Sequence, residues 1–325
     1  MNTSTPRFGR DKFSPEAHDR YFDKFLNQIE KLYSDFSRMP NSQTLHFVSD
    51  TEFQKLLDNP KAIENAPALI LDEIYFRFQF LFFSSVYKLL KAIESLVYCW
   101  NQSNLLGWVL FGRFSIELCS VYNHFWQKLE DCGLLKTDYT IEQLNELERI
   151  LIKYSHGTRF DWDALLGGDF EKLKEKFAHT DQNKAAINIL TAIDKLASLR
   201  PAFRDVRVIY DMLSDYAHPN MGSHSLFIKL ADMDALTGKN TLSLNADSMR
   251  AEFIIVGTLP QIATCLTYCG HLLQETAKVI KLWGGFSGKK VFTVKFRNTT
   301  AVLKLKNTQQ RHAPRRFAPS GNAKR

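Results

Sequence analysis

The chain has 325 residues, 45% hydrophobic, 24% charged and 13% aromatic, with 25 phenylalanines. That composition belongs to a chain with a large packed core and excludes a wholly disordered or low-complexity one. The net charge of +7 is unevenly placed: eleven Lys and Arg and no acidic residue follow residue 288, which leaves 31 basic against 35 acidic residues before it, or −4. The chain reads as a mildly acidic body with a basic appendage.

Residues 1–14 read as a flexible arm. Ser14 then caps a helix with Pro15 at its first position, closed by Met39-Pro40. A short helix is expected over 50–58, and a long one, apolar on more than one side, over 66–100. The segment from Leu105 ends at Gly133 and reads as a second long helix. Thr140 caps an amphipathic helix that stops at Gly157. Helical patterns follow at 169–178, 181–199 and 202–217, then a small β-hairpin insertion at about 225–245. A final helix runs to about residue 285, with a kink expected at Pro260. The period then changes to two: Phe292, Val294 and Phe296 alternate with Lys295 and Arg297, and Leu303 and Leu305 with Lys304 and Lys306. This predicts a basic β-hairpin over 289–307, followed by a disordered basic tail over 308–325. The fold class is mostly α: a multi-helix bundle over 15–288 with two small hairpins.

Five cysteines at irregular spacing match no disulfide framework and imply a reducing, cytoplasmic compartment. Cys265 and Cys269 lack a second Cys or His pair, and His218 with His224 lacks a third ligand, so neither makes a metal site. The N-terminus is polar, and the most apolar run, "FQFLFFSSVY", is too short to span a bilayer, so no membrane partner is expected. No phosphate-binding glycine loop, dinucleotide fingerprint or nucleophile elbow is found, and no cofactor is implied.

One segment, "RVIYDMLSDYAHPN", carries a polar row. On a helix Arg207, Asp211, Ser214 and His218 fall within about 60° of one another. Ile209, Met212, Leu213 and Tyr216 take the other side, and Pro219 ends the helix at His218. The upstream segment "RFSIELCSVYNH" repeats the row with Arg113, Glu117, Ser120 and His124 at the same offsets. Its surroundings are so apolar that Arg113 and Glu117 are expected inside the bundle, where charges must be paired or functional.

"YDMLSDYAHPN", the strand pair after it and the upstream "GRFSIEL" helix resemble a bacterial family within the broad HEPN group. The resemblance covers about Gly107 to Leu244. It implies a compact bundle of four to five helices, a homodimer, and kinship with metal-independent ribonucleases of toxin, phage-defence and CRISPR systems. Those nucleases carry Arg, four to six residues, then His at a helix end. Here ten residues separate Arg207 from His218, or about 16 Å of helix. The literal match, Arg149 to His156, is of a kind that chance supplies.

Two functions follow. In an RNA-cleaving enzyme, His218 is the general acid or base and Arg113 or Arg207 stabilises the phosphate. Glu117, Asp211 or Asp215 orients these groups, and Tyr210, Ser214 and Asn220 position phosphate oxygens. Lys295, Arg297, Lys304 and Lys306 hold RNA by salt-sensitive contacts. In the alternative, a non-catalytic helical module binds nucleic acid, nucleotide or a protein partner, and the same polar set locks the bundle. Anionic lipid fits less well, because no basic amphipathic helix is present.

Overall fold

The structure, a computed structural model, describes residues 5–10, 20–39, 51, 54–55, 58–59, 62–133, 138–157, 166–168, 171, 187–219, 223–224, 229–234, 237, 239–243, 248–289, 291–295 and 300–304. Among them are seven α-helices: α1 (Arg20–Phe36), α2 (Ala62–Asn101), α3 (Leu105–Asp131), α4 (Ile141–His156), α5 (Ile189–Leu199), α6 (Val206–Ala217) and α7 (Ser248–Lys289). The expected helical bundle is what the chain forms. The helices expected over 50–58 and 169–178 fall largely outside the described residues.

Helix ends follow local chemistry. α2 turns into α3 through Ser103, which adopts a positive φ of 51°. The Asn104 side chain then accepts the Gly107 N–H, a bond of 2.9 Å that satisfies an orphan donor of the first turn of α3. At the far end Gly133, φ 71°, takes the left-handed conformation that glycine adopts without strain. Thr140 and Gln143 form a reciprocal capping box at α4. Instead of one helix from 202, a 3₁₀ turn over Pro201–Phe203 precedes α6. α7 runs unbroken through Pro260.

α3 is the hub. It packs against α2, α4, α5, α6 and α7. Its run beside α7 is parallel: Trp108 donates to Thr258 Oγ1 at 2.9 Å, and Tyr122 shares a 2.7 Å bond with Thr276. Between these sits Gly112, where an added Cβ would lie 2.7 Å from Ile262 Cδ1 and 3.5 Å from Leu213 Cδ1, so the missing side chain lets α6 and α7 close on α3. Gly270 of α7 opens the same close approach to Leu32 of α1. α2 crosses α3 antiparallel, with Trp100 against Trp108 and Phe78 against Phe125. Cys119, Cys265 and Cys269 are fully buried between α3 and α7, and burial pushes the Cys119 and Cys269 thiols well above their usual range.

α3 and residues 253–281 of α7 are long and apolar enough to cross a membrane by length and composition, which the ten-residue run singled out from the sequence is not. Both are also the central helices of the bundle, and core helices pass the same test. α3 leaves Leu106, Leu110 and Phe114 exposed as one stripe.

Residues 5–10 do not behave as a loose arm. Phe8 is 3% exposed and sits edge-on to Trp100. Toward the other end, the backbone of β2 (Lys229–Asp234) runs antiparallel to β3 (Lys239–Ser243). β4 (Val291–Lys295) lies between β5 (Thr300–Lys304), antiparallel, and the short β1 (Asp138–Thr140), parallel. The facing of apolar and basic side chains expected over 289–307 lies outside the described residues, as does the tail.

Candidate functional site

The two polar rows come from the helices that carry them, and packing sends them in different directions. On α3, Arg113 Nε donates to Glu117 Oε1 at 3.0 Å, one turn along the helix. The same carboxylate oxygen accepts the Tyr210 hydroxyl of α6 at 2.9 Å. The Arg113 guanidinium lies 5.4 Å from the Tyr210 ring centroid, a cation–π contact. Partial burial works against the Arg113 charge, but Tyr210 and Glu117 outweigh it and hold its pKa above the ordinary value. Burial first, then the hydrogen bond to Glu117 and its charge, raises the Tyr210 hydroxyl. This is a three-residue lock between α3 and α6.

The lock corrects two expectations. Arg113 and Glu117 are each 28% exposed and so lie at the edge of the bundle, not in its interior. The buried side of α6 is Val206, Tyr210 and Leu213, about a quarter-turn from the polar row, whereas Ile209, Met212 and Tyr216 are half-buried. Tyr210 is 3% exposed and faces Glu117, so it is placed as a packing group, not as a surface contact for phosphate.

The Arg207 row turns toward α5. Arg207 Nε grips both Asp211 carboxylate oxygens at 2.9 and 3.1 Å, and its Nη1 donates to Asp194 at 2.6 Å. These bonds, Asp211 first, raise its pKa. The Ser214 hydroxyl is buried without a partner among the described residues, while Ser120, its counterpart on α3, donates to Ile116 O. His218 takes the extended conformation expected before Pro219, closes α6 through its N–H to Ser214 O, and is exposed. It stands eight residues beyond Tyr210, about 12 Å along the helix. Asp215 is exposed beside it. Among the described residues the α3 row meets α6 at Tyr210, which both Arg113 and Glu117 contact. Asn220, Arg297 and Lys306 lie outside the described residues, and only the backbone of Lys295 and Lys304 is described.

The end of the α3 row holds a group the sequence did not single out as a site. His124 Nδ1 lies 2.8 Å from the Tyr154 hydroxyl of α4, and its Nε2 lies 2.9 Å from Lys195 Nζ of α5. An ammonium only donates, so Nε2 accepts and the ring hydrogen sits on Nδ1, pointing at Tyr154. Burial, then the charges of Lys195, Lys128 and Lys153, push the imidazole down to about 4. Lys128 also reaches Asp131, at 3.8 Å. Lys195 of α5 thus touches the neutral ring, and Lys128 of α3 and Lys153 of α4 add positive charge to its surroundings. Each lysine alone reads as an ordinary exposed residue, and only tertiary packing unites them. Among the described residues no cluster of His, Cys, Asp and Glu is arranged to hold a metal ion.

Searches against protein-family models, curated proteins and solved structures found no match to this chain.

Proposed function

We propose that the chain is a non-catalytic helical module, HEPN-like in kind, that binds RNA through its phosphates. The observation supporting this reading is Lys195 Nζ at 2.9 Å from His124 Nε2, with Lys128 of α3 and Lys153 of α4 adding to the positive field at that ring. Phosphate oxygens would neutralise that crowding and release counterions. The basic residues after 288 add further positive charge for the same kind of partner. The Arg113–Glu117–Tyr210 set and the Arg207–Asp211–Asp194 set are locks: both guanidinium groups already hold protein carboxylates. An arginine so engaged would have to break those bonds to stabilise a transition state.

The metal-independent ribonuclease is the second reading, favoured by the exposure of His218 at a helix end where its imidazole meets solvent. Labelled single-stranded RNA incubated with the chain without added metal separates the two. The module reading expects RNA that stays intact in a salt-sensitive complex, equally for wild type and His218→Ala. Cleavage by wild type that the folded variant loses would establish the enzyme instead.

A further inference from the structure

The chain's own residues 5–10 occupy a groove between α1 and the C-terminal end of α2, and the manner of their binding is that of a peptide in a receptor. Four bonds run from side chains of the body to the backbone of three consecutive residues. Glu30 accepts the Phe8 N–H at 2.8 Å. Asn101 spans two peptide groups, accepting the Gly9 N–H at 2.7 Å and donating to Arg7 O at 2.9 Å. Trp100 Nε1 donates to Gly9 O at 2.8 Å. A carboxamide that both donates to and accepts from one extended segment reads its backbone much as a neighbouring strand would.

Side chains add selectivity. Phe8 is 3% exposed, its ring meeting Trp100 edge-on with centroids 5.5 Å apart. Arg10 reaches Asn27 at 2.7 Å, Glu30 at 3.3 Å and Asp23 at 3.5 Å, a small acidic rim. The segment makes no regular secondary structure. Most of its ties to the body are therefore these side-chain bonds and one aromatic anchor, a set that a separate peptide can reproduce in full.

We propose that this groove is a peptide-binding site for an extended Phe-Gly-Arg segment, and that residues 5–10 are its tethered ligand. Tethering gives the strap an effective concentration on the order of millimolar, so a free peptide competes only when the strap is weakened. This site is independent of the lysine cluster and of the RNA-binding proposal.

The test uses the full chain and a fluorescent hexapeptide with the sequence of residues 5–10, followed by anisotropy. Phe8→Ala in the chain removes the anchor from the strap but leaves the groove. This variant should bind the peptide at least about 10-fold more tightly than wild type. Adding Asn101→Ala should weaken that binding by about 10-fold or more, two hydrogen bonds being lost. A peptide with alanine in place of phenylalanine should not bind. A folded Phe8→Ala chain that binds the peptide no better than wild type, or binds both peptides alike, overturns the proposal. If Phe8→Ala does not fold, Arg10→Ala decides: it removes the rim contacts and the Arg10 bond to Phe8 O but keeps the Phe8 anchor, and a folded Arg10→Ala chain that captures no more peptide than wild type overturns the proposal equally.

Discussion

At neutral pH the His124 ring is uncharged, wedged between a tyrosine hydroxyl and a lysine ammonium. Its folded pKa of about 4 lies below the ordinary histidine value of 6.5. Between those values the unfolded chain binds the extra proton and the folded chain does not, so stability rises with pH across the window. Read downward, the contribution is whole above about pH 6.5 and is lost as pH falls toward 4. Tyr154 and Lys195 contact the ring, Lys128 and Lys153 add positive charge, and none of them supplies a negative charge that would welcome the proton. Urea midpoints measured from pH 7 to pH 4.5 should therefore fall more steeply for wild type than for His124→Gln, which cannot titrate. Equal slopes would show that the ring is not held neutral. Tyr210 behaves differently at the same scale. Its hydroxyl reads from sequence as a polar contact, yet its neighbours Val206 and Leu213 carry it into the α3–α6 interface, where Glu117 satisfies it.

Elements were more legible than their contacts. The Thr140 capping box, the left-handed Gly133 and the stop before Pro219 are each set by residues within four positions, so the sequence states them directly. Periodicity likewise marked α2, α3 and α7 as long helices with wide apolar arcs. The direction in which a polar row points depends on which helix packs where, and one sequence carries no such signal for it. The rows of α3 and α6 have identical spacing, but α5 draws Arg207 aside through Asp194 while Tyr210 takes the place beside Arg113. The lysines around His124 come from three helices and were invisible for the same reason. The docked strap was missed because "TPRFGR" has no period, and its order comes from Glu30, Trp100 and Asn101, distant in sequence. At this scale Gly112 is decisive. Gly112→Leu should wedge α3 from Ile262 of α7 and Leu213 of α6, costing about 1–3 kcal/mol in denaturant unfolding. A variant as stable as wild type would mean the helices do not meet there.

At the scale of the whole molecule, the bundle locks Arg113 and Arg207 onto its own carboxylates, while Lys195, among the described residues, meets only a neutral ring at His124. The body before residue 289 carries −4 overall, so any affinity for a polyanion must come from local crowding and from the basic segment beyond it. Local crowding is what Lys128 of α3, Lys153 of α4 and Lys195 of α5 supply. Binding of that kind is read from its salt dependence more than from its strength, because each phosphate contact releases counterions. The most direct measurement is the slope of log affinity against log salt for a labelled single-stranded RNA, compared between wild type and a folded Lys128→Ala/Lys153→Ala/Lys195→Ala chain. The account predicts weaker binding and a slope smaller by about 2 in the triple variant. An unchanged slope and affinity would contradict it.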